Sequence, residues 1–407
     1  MEVKWKIASP DDFFNEMSPS KFKIDEGFVK PRSYEGIMWL YILDELISFE
    51  GDIDHADKME IIRESLINSL KFKFDSNYFF DEIKKNLKRY RKKVMEQKTL
   101  LTSISLGFSG KIKEFEIFNS KINLYNKEYP KQYYSLFPHL RDCLLKEEQH
   151  YSKISVTQKT YRNEPTHFLR LLNIFRAVLC LHGNQYMVLG NKFYEPINYI
   201  KLGKSYFLYN QERIIGHGSE HEYKYCPQKG NFTSSNLNEP LEMINIIGNI
   251  RNEKYKIILQ ESLLIFVNAL DDSNPNAALA LLWNSLDKLT NSSKGNYDQV
   301  LKRVASIGTN YSYDMVVLEN IKNIRNEYVH LGIENPKAKI FCYQLQSYFK
   351  EILKFHVKNC NTFSDIQEAN DFLTYISKLN ELKGDKQNIN KIKIALPHQR
   401  GIVIRGK

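Results

Sequence analysis

Between residues 241 and 358 apolar positions return every three or four residues, the spacing that lines one face of a helix. The run YKIILQESLLIFVNAL predicts a helix over 255–270, halted by the turn-forming DDSNP that follows. A second is expected from Asn276 to Leu289, with Leu279, Leu282, Trp283, Leu286 and Leu289 on one face. A third, over 297–307, turns Val300, Val304 and Ile307 inward. The fourth covers 313–331 through Val317, Ile321, Ile324, Tyr328 and Leu331, and Gly332 is suited to close its end. A fifth fills 337–357 with Phe341, Leu345, Tyr348, Ile352 and Phe355. Amphipathic helices on short connections bury their stripes against one another, so the pattern predicts an up-and-down bundle.

Residues 1–240 are patterned differently. GIMWLYILDELISF and KMEIIRESLINSLKF predict helices within 34–98, ending in a strongly basic stretch. From 99 to 125, LLTSISLGF, IKEFEIF and KINLY are short, β-branched and aromatic, and separated by turn signals at Gly110 and Asn119-Ser120, which predicts strands. A helix is expected at 165–182, with Pro165 in its first turn and Phe168, Leu171, Leu172, Phe175, Val178 and Leu179 as its apolar stripe. Strand-like pieces return over 185–210, and the polar, turn-rich 216–240 is expected to be a linker. The fold class expected is α+β overall and mainly α. It comprises an α+β region at 1–240, a helical bundle at 241–358, and a C-terminal helix with a basic tail at 359–407. No solenoid-type repeat is present.

The 407 residues are 42% hydrophobic and 26% charged, in the range of a globular protein rather than a disordered one. A net charge of +10 favours polyanionic partners without specifying a fold. The five cysteines (Cys143, Cys180, Cys226, Cys342 and Cys360) include no CxxC pair, which argues against a disulfide framework or a zinc ribbon. MEVKWKIASPDDFF has no apolar core of a signal peptide, and the runs LLNIF and AVLCL are too short to span a membrane. A cytoplasmic chain without membrane contact is expected.

Candidate chemistry sits on the fourth helix, in IRNEYVH at 324–330. Asn326 and His330 are four apart and share one face, while Arg325 lies about 140° around the helix from His330. Imidazole exchanges protons near neutrality, and guanidinium is a permanent cation suited to phosphate oxygens. Together they could serve metal-independent RNA cleavage by 2′-hydroxyl attack. One histidine cannot be both acid and base, a deficiency that two chains meeting at a two-fold axis would meet. The spelling alone is weak: with 14 arginines and 10 histidines, R-x4-H should arise by chance about 0.3 times. Allowing four to six intervening residues gives three matches, RNEPTH at 162–167, RAVLCLH at 176–182 and IRNEYVH. Pro165 keeps Arg162 and His167 out of one continuous helix, and His182 precedes Gly183 like a helix-end cap, so both are expected to be structural. In HGSEHEYKYC, His217, His221 and Cys226, with Glu220 and Glu222, match no familiar metal spacing; no metal is expected.

The stretch 255–358 resembles the HEPN domains, and among them the Apea-like group. IILQESLLIFVNAL, AALALLWNSLDKL and IRNEYVHLG carry the resemblance. HEPN ribonucleases have an R-x4-6-H motif late in a helical bundle, often with Asn after the arginine and an acidic residue on an earlier helix. The resemblance therefore implies Arg325 and His330 as the catalytic pair, Asn326 as a supporting polar residue and Asp287 as the acidic helper. Asp287 departs from the pattern, where Glu is more usual. A metal-independent endoribonuclease acting as an antiphage, abortive-infection or toxin effector is implied, with no cofactor and a composite site in a homodimer. A phage-derived trigger or an antitoxin-like partner belongs to the same expectation; the alternative is a non-catalytic HEPN module that binds RNA or a partner. RNA, tRNA or mRNA, would meet Lys322 and the basic stretch Lys84, Lys85, Lys88, Arg89, Tyr90 and Arg91, where an aromatic is interleaved with cations.

Overall fold

The computed structural model describes residues 3–17, 19–25, 28–32, 34–49, 55–90, 95–109, 113–126, 128–136, 151–160, 165–184, 197–210, 213–219, 230–233, 236–290 and 296–384. It is mainly α with a smaller β component, α+β overall. The chain packs as two units, Met1–Glu96 with Thr160–Arg162, and Gln97–Lys159 with Asn163–Lys407. The packing boundary therefore falls at 96, not at the expected 240. The sheet shares one core with the helical half, because the inward faces of its strands and of the bundle helices are buried in a single cluster.

The first unit contains β1 (Val3–Trp5), α1 (Pro10–Glu16), β2 (Phe22–Asp25), β3 (Phe28–Pro31), α2 (Tyr34–Leu46), β4 (Ile47–Phe49), α3 (His55–Phe72) and α4 (Ser76–Tyr90). β1 pairs antiparallel with β4, and β2 with β3. Helix α4 shows why the basic stretch folds as it does. Phe79, Ile83, Leu87 and Tyr90 recur at helical spacing and are buried with Leu43, Ile62 and Leu66, while Lys84, Lys85, Lys88 and Arg89 lie on the exposed face.

The second unit opens with β5 (Glu96–Ile104), β6 (Leu106–Ser109), β7 (Lys113–Ile117), β8 (Ser120–Tyr125), α5 (Lys131–Leu136), β9 (Ser152–Thr160) and α6 (Thr166–Gly183). β10 (Ser205–Tyr209), β11 (Ile214–Ser219) and β12 (Gly230–Thr233) follow. Six strands form a sheet in the order β11-β10-β5-β9-β8-β7, and β12 runs parallel to β6. The period of two sorts the side chains: Leu100, Ile122, Leu124, Ile154, Val156 and Leu208 enter the main core, while Leu101, Tyr125, Phe207 and Tyr209 form a separate cluster. Phe115 on β7 meets Phe175 on α6 at 5.1 Å, which places α6 on the sheet. The expected linker at 216–240 is not one along its described parts, because GHGS completes edge strand β11 and Gly230–Thr233 forms β12.

The helical half contains α7 (Asn238–Gly248), α8 (Glu253–Asp271), α9 (Pro275–Thr290), α10 (Tyr297–Ala305), α11 (Tyr311–Leu331), α12 (Ala338–Asn359) and α13 (Ile366–Gly384). The five bundle helices expected from periodicity thus form within a few residues of their expected ends. Phe266 of α8 stacks on Phe349 of α12 at 4.4 Å with their planes 8° apart. Trp283, Leu286 and Leu289 of α9 are fully buried beside them, each large side chain contributing about 1.5–3 kcal/mol of burial. No helix among the described residues is long and apolar enough to cross a membrane.

Candidate functional site

Helix α11 presents IRNEYVH, and both its ends are well specified. Asn310 caps the start by accepting from the Tyr313 amide at 3.2 Å. Gly332 closes the end in the left-handed conformation, φ +67°, with its own N–H bonded to the Tyr328 carbonyl and that of Ile333 to Glu327. The helix therefore runs unbroken through His330, without the terminal unwinding that would swing Arg325 around. The connection to α12 is pinned to the start of α9: Asn276 Oδ1 accepts from the Asn335 amide at 2.9 Å, and Asn274 Nδ2 donates to Glu334 at 2.9 Å.

Arg325 is 8% exposed, yet it has no carboxylate partner among the described residues. Its Nη1 donates to Asn326 Oδ1 at 3.0 Å, its guanidinium carbon lies 5.0 Å from the centre of the Tyr297 ring, and its Nε has no hydrogen-bond partner among the described residues. Tyr297 in turn meets Trp283 edge-on at 6.1 Å. Arg325 is thus positioned by an amide and an aromatic face, which leave most of its five donors for an incoming oxygen. A buried donor without an acceptor is costly, and Arg325 Nε is one of several such atoms among the described residues. Tyr297 is the residue that the sequence reading missed. Its position at the start of α10 has no periodic relation to Arg325, so only the packing of α10 on α11 could reveal it.

The remaining candidates divide. His330 is exposed and forms no hydrogen bond or ion pair among the described residues, and it is one turn beyond Asn326 on the same helix face. Asp287 lies one turn after Trp283 on α9 and is partly buried. Lys322 is held by Glu319 at 2.8 Å and by Asp298 of α10 at 3.3 Å. Burial opposes its charge, but the two carboxylates prevail and hold its pKa above the ordinary lysine value. With Arg325 on Tyr297 and Lys322 on Asp298, α11 grips two consecutive residues of the first turn of α10. Lys322 is thus a clamp between α11 and α10.

In the first unit, Lys84 pairs with Asp81 at 3.2 Å and lies 4.7 Å from the Phe80 ring centre, Lys85 pairs with Glu82 at 2.9 Å, and Arg89 is 3.8 Å from Glu64. Lys88 is exposed on the same face. Tyr90 is only 7% exposed and belongs to the unit's core, so it offers no ring face on which a base could stack. Arg91 lies outside the described residues.

The competing motifs take other roles. Arg176 makes a bidentate pair with Asp271 at 2.6 and 2.8 Å and also bonds Asn173 and the Ile200 carbonyl. His182 Nδ1 bonds the Val178 carbonyl at 2.9 Å, and its Nε2 is 3.3 Å from Glu239. In RNEPTH, α6 begins after Pro165, and His167 bonds Gln158 at 2.8 Å; Arg162 lies outside the described residues. Of the HGSEHEYKYC set, His217 is on β11 and His221, Cys226, Glu220 and Glu222 lie outside the described residues. No family model, curated protein or solved structure matches this chain.

Proposed function

We propose that the chain is a metal-independent endoribonuclease of the HEPN type, acting in the cytoplasm as an antiphage or abortive-infection effector. The observation that carries this reading is a buried Arg325 with unspent donors, on the same helix end as an exposed His330. In the reaction the RNA 2′-hydroxyl loses its proton to an imidazole and bonds to the adjacent phosphorus. The 5′-oxygen leaves with a proton, and a 2′,3′-cyclic phosphate and a 5′-hydroxyl result. Arg325 would stabilise the charge gathering on the phosphoryl oxygens, with Asn326 and Tyr297 setting its orientation. Asp287 on α9 enters only through the resemblance, which gives it the role of acidic helper to an imidazole. Acid and base would come from two copies of His330. Val329, Leu331 and Ile333, 46%, 68% and 51% exposed around that histidine, are apolar surface that a second copy would cover. The effector role and any trigger or restraining partner rest on fold-level analogy.

The test is incubation of the purified protein with RNA in EDTA and analysis of the product ends. Cleavage with cyclic-phosphate ends, lost in Arg325→Ala and in His330→Ala, is expected. Full cleavage by both variants removes the site assignment, and loss of activity in EDTA removes the chemistry. A non-catalytic RNA-binding module is favoured by one observation, that His330 has no partner among the described residues to fix its tautomer. RNA bound with steep salt dependence and recovered intact under conditions that activate the wild type would establish that reading.

A further inference from the structure

We propose that the groove between α6 and α12 is a binding site for a small molecule bearing an oxyanion, a phosphate ester or a carboxylate. It is a cavity of about 210 Å³, walled by the end of α6, including Asn184, and by Tyr343, Gln346, Ser347, Lys350 and Glu351 of α12. These α12 residues recur at helical spacing, so one polar stripe of the helix faces the groove where an apolar stripe would seal it. Such a volume far exceeds the roughly 30 Å³ share of one water, and leaves room for a molecule of several heavy atoms.

Gln346, Ser347 and Lys350 bring donors to the lining, beside one carboxylate, the exposed Glu351. Gln346 is 7% exposed, and its Nε2 has no hydrogen-bond partner among the described residues. Asn184 Nδ2 donates to Asn198 Oδ1 at 3.1 Å while its Oδ1 accepts from the Tyr199 amide at 3.3 Å. Asn198 continues to Asp271 at 2.8 Å, and Asp271 is held by Arg176, so this wall is a satisfied and rigid network. A ligand oxygen would give Gln346 Nε2 its acceptor.

Charge points the same way. Lys350 is partly buried and makes no ion pair among the described residues. Burial and the neighbouring Lys354 lower its pKa, against the pull of Glu239 and Glu351. Both carboxylates are well exposed, each 3.9 Å from Lys354, and Glu239 is also 3.3 Å from His182. A bound oxyanion would answer Lys350 and Gln346 together, with the Ser347 hydroxyl at the rim. Cys180 is not a nucleophile here, because burial pushes its thiol up to about 12.

The inference does not depend on RNA cleavage, and its test uses no RNA. The full chain is titrated calorimetrically with inorganic phosphate, adenosine 5′-monophosphate and citrate, and its thermal unfolding is followed with each. Saturable binding of at least one probe is expected. It should weaken at least tenfold in Lys350→Met and in Gln346→Leu, and be unchanged in Lys358→Met on the exposed face of α12. Binding of the phosphate probes without citrate assigns a phosphate ester, and the reverse assigns a carboxylate. If Gln346→Leu does not fold, Lys350→Met and the exposed Ser347→Ala decide. No saturable binding of any probe, or wild-type affinity in Lys350→Met, overturns the proposal.

Discussion

Two buried arginines in this chain begin similar motifs and have opposite surroundings. Arg176, in RAVLCLH on α6, is saturated: a bidentate carboxylate, a backbone carbonyl and an amide oxygen take its donors. Arg325, in IRNEYVH on α11, has one amide hydrogen bond and one aromatic face. Their histidines differ in parallel. His182 is bonded at one nitrogen and beside a carboxylate at the other, whereas His330 stands exposed at a helix end. The lesson is that an R-x4-6-H spelling does not distinguish a saturated arginine from one with donors unspent; only the packing around each does.

The sharpest way to break this comparison is to remove each guanidinium in turn. Arg176→Met takes the cation from Asp271, leaving it Asn198 alone, and is expected to cost about 3 kcal/mol in urea unfolding, near the low end for a buried pair because Asp271 is 35% exposed. Arg325→Met should cost about 1 kcal/mol or less, since it strands only Asn326. Equal losses would erase the distinction. Activity should rank them the other way: Arg325→Ala is expected to lower RNA cleavage about 100- to 1,000-fold, with the melting temperature nearly unchanged. Tyr297→Leu should give a smaller loss by releasing the same guanidinium.

A third buried basic group extends the comparison to pH. His356 is fully buried beside the Tyr255 hydroxyl at 2.8 Å, and burial lowers its pKa from 6.5 to about 3. Between those values the unfolded chain binds a proton that the folded chain does not. Stability should therefore fall as pH drops from 6.5 towards 3, by about 1.4 kcal/mol per pH unit from this group. His356→Gln, followed by urea unfolding across that range, should flatten the slope; an unchanged slope would exclude His356 as its source. A small effect is expected at the helix end that presents His330. Gly332→Ala places a side chain at φ +67° in open space, so only backbone strain opposes it, and about 1 kcal/mol should be lost.

Much of the helical half was legible along the chain. Stripes such as Leu279, Leu282, Trp283 and Leu286 repeat within one element, and Asn310 and Gly332 act within a residue or two of the ends they close. The sheet was legible only in part. LLTSISLGF and KINLY alternate in the expected way, but β9 was not expected, and GHGS was assigned to a linker because glycines and histidine carry little strand signal. The boundary at 240 failed for a related reason. The sheet's inward residues pack in one core with the bundle, and a change of periodicity marks a change of element, not the end of a core. At the candidate site, the placement of Asn326 and His330 on one face followed from helix geometry, while the burial of Tyr90 and the clamping of Lys322 did not.

By itself the sequence determined where the bundle helices begin and end and that Asn326 and His330 share a face, because periodicity, capping and the left-handed freedom of Gly332 act locally. Only the tertiary structure decided which arginine would be spent. Arg176 meets a carboxylate 95 residues away, and Arg325 meets Tyr297 from another helix. Whether a buried cation finds an acceptor depends on which elements pack together, and no spacing along one helix records that.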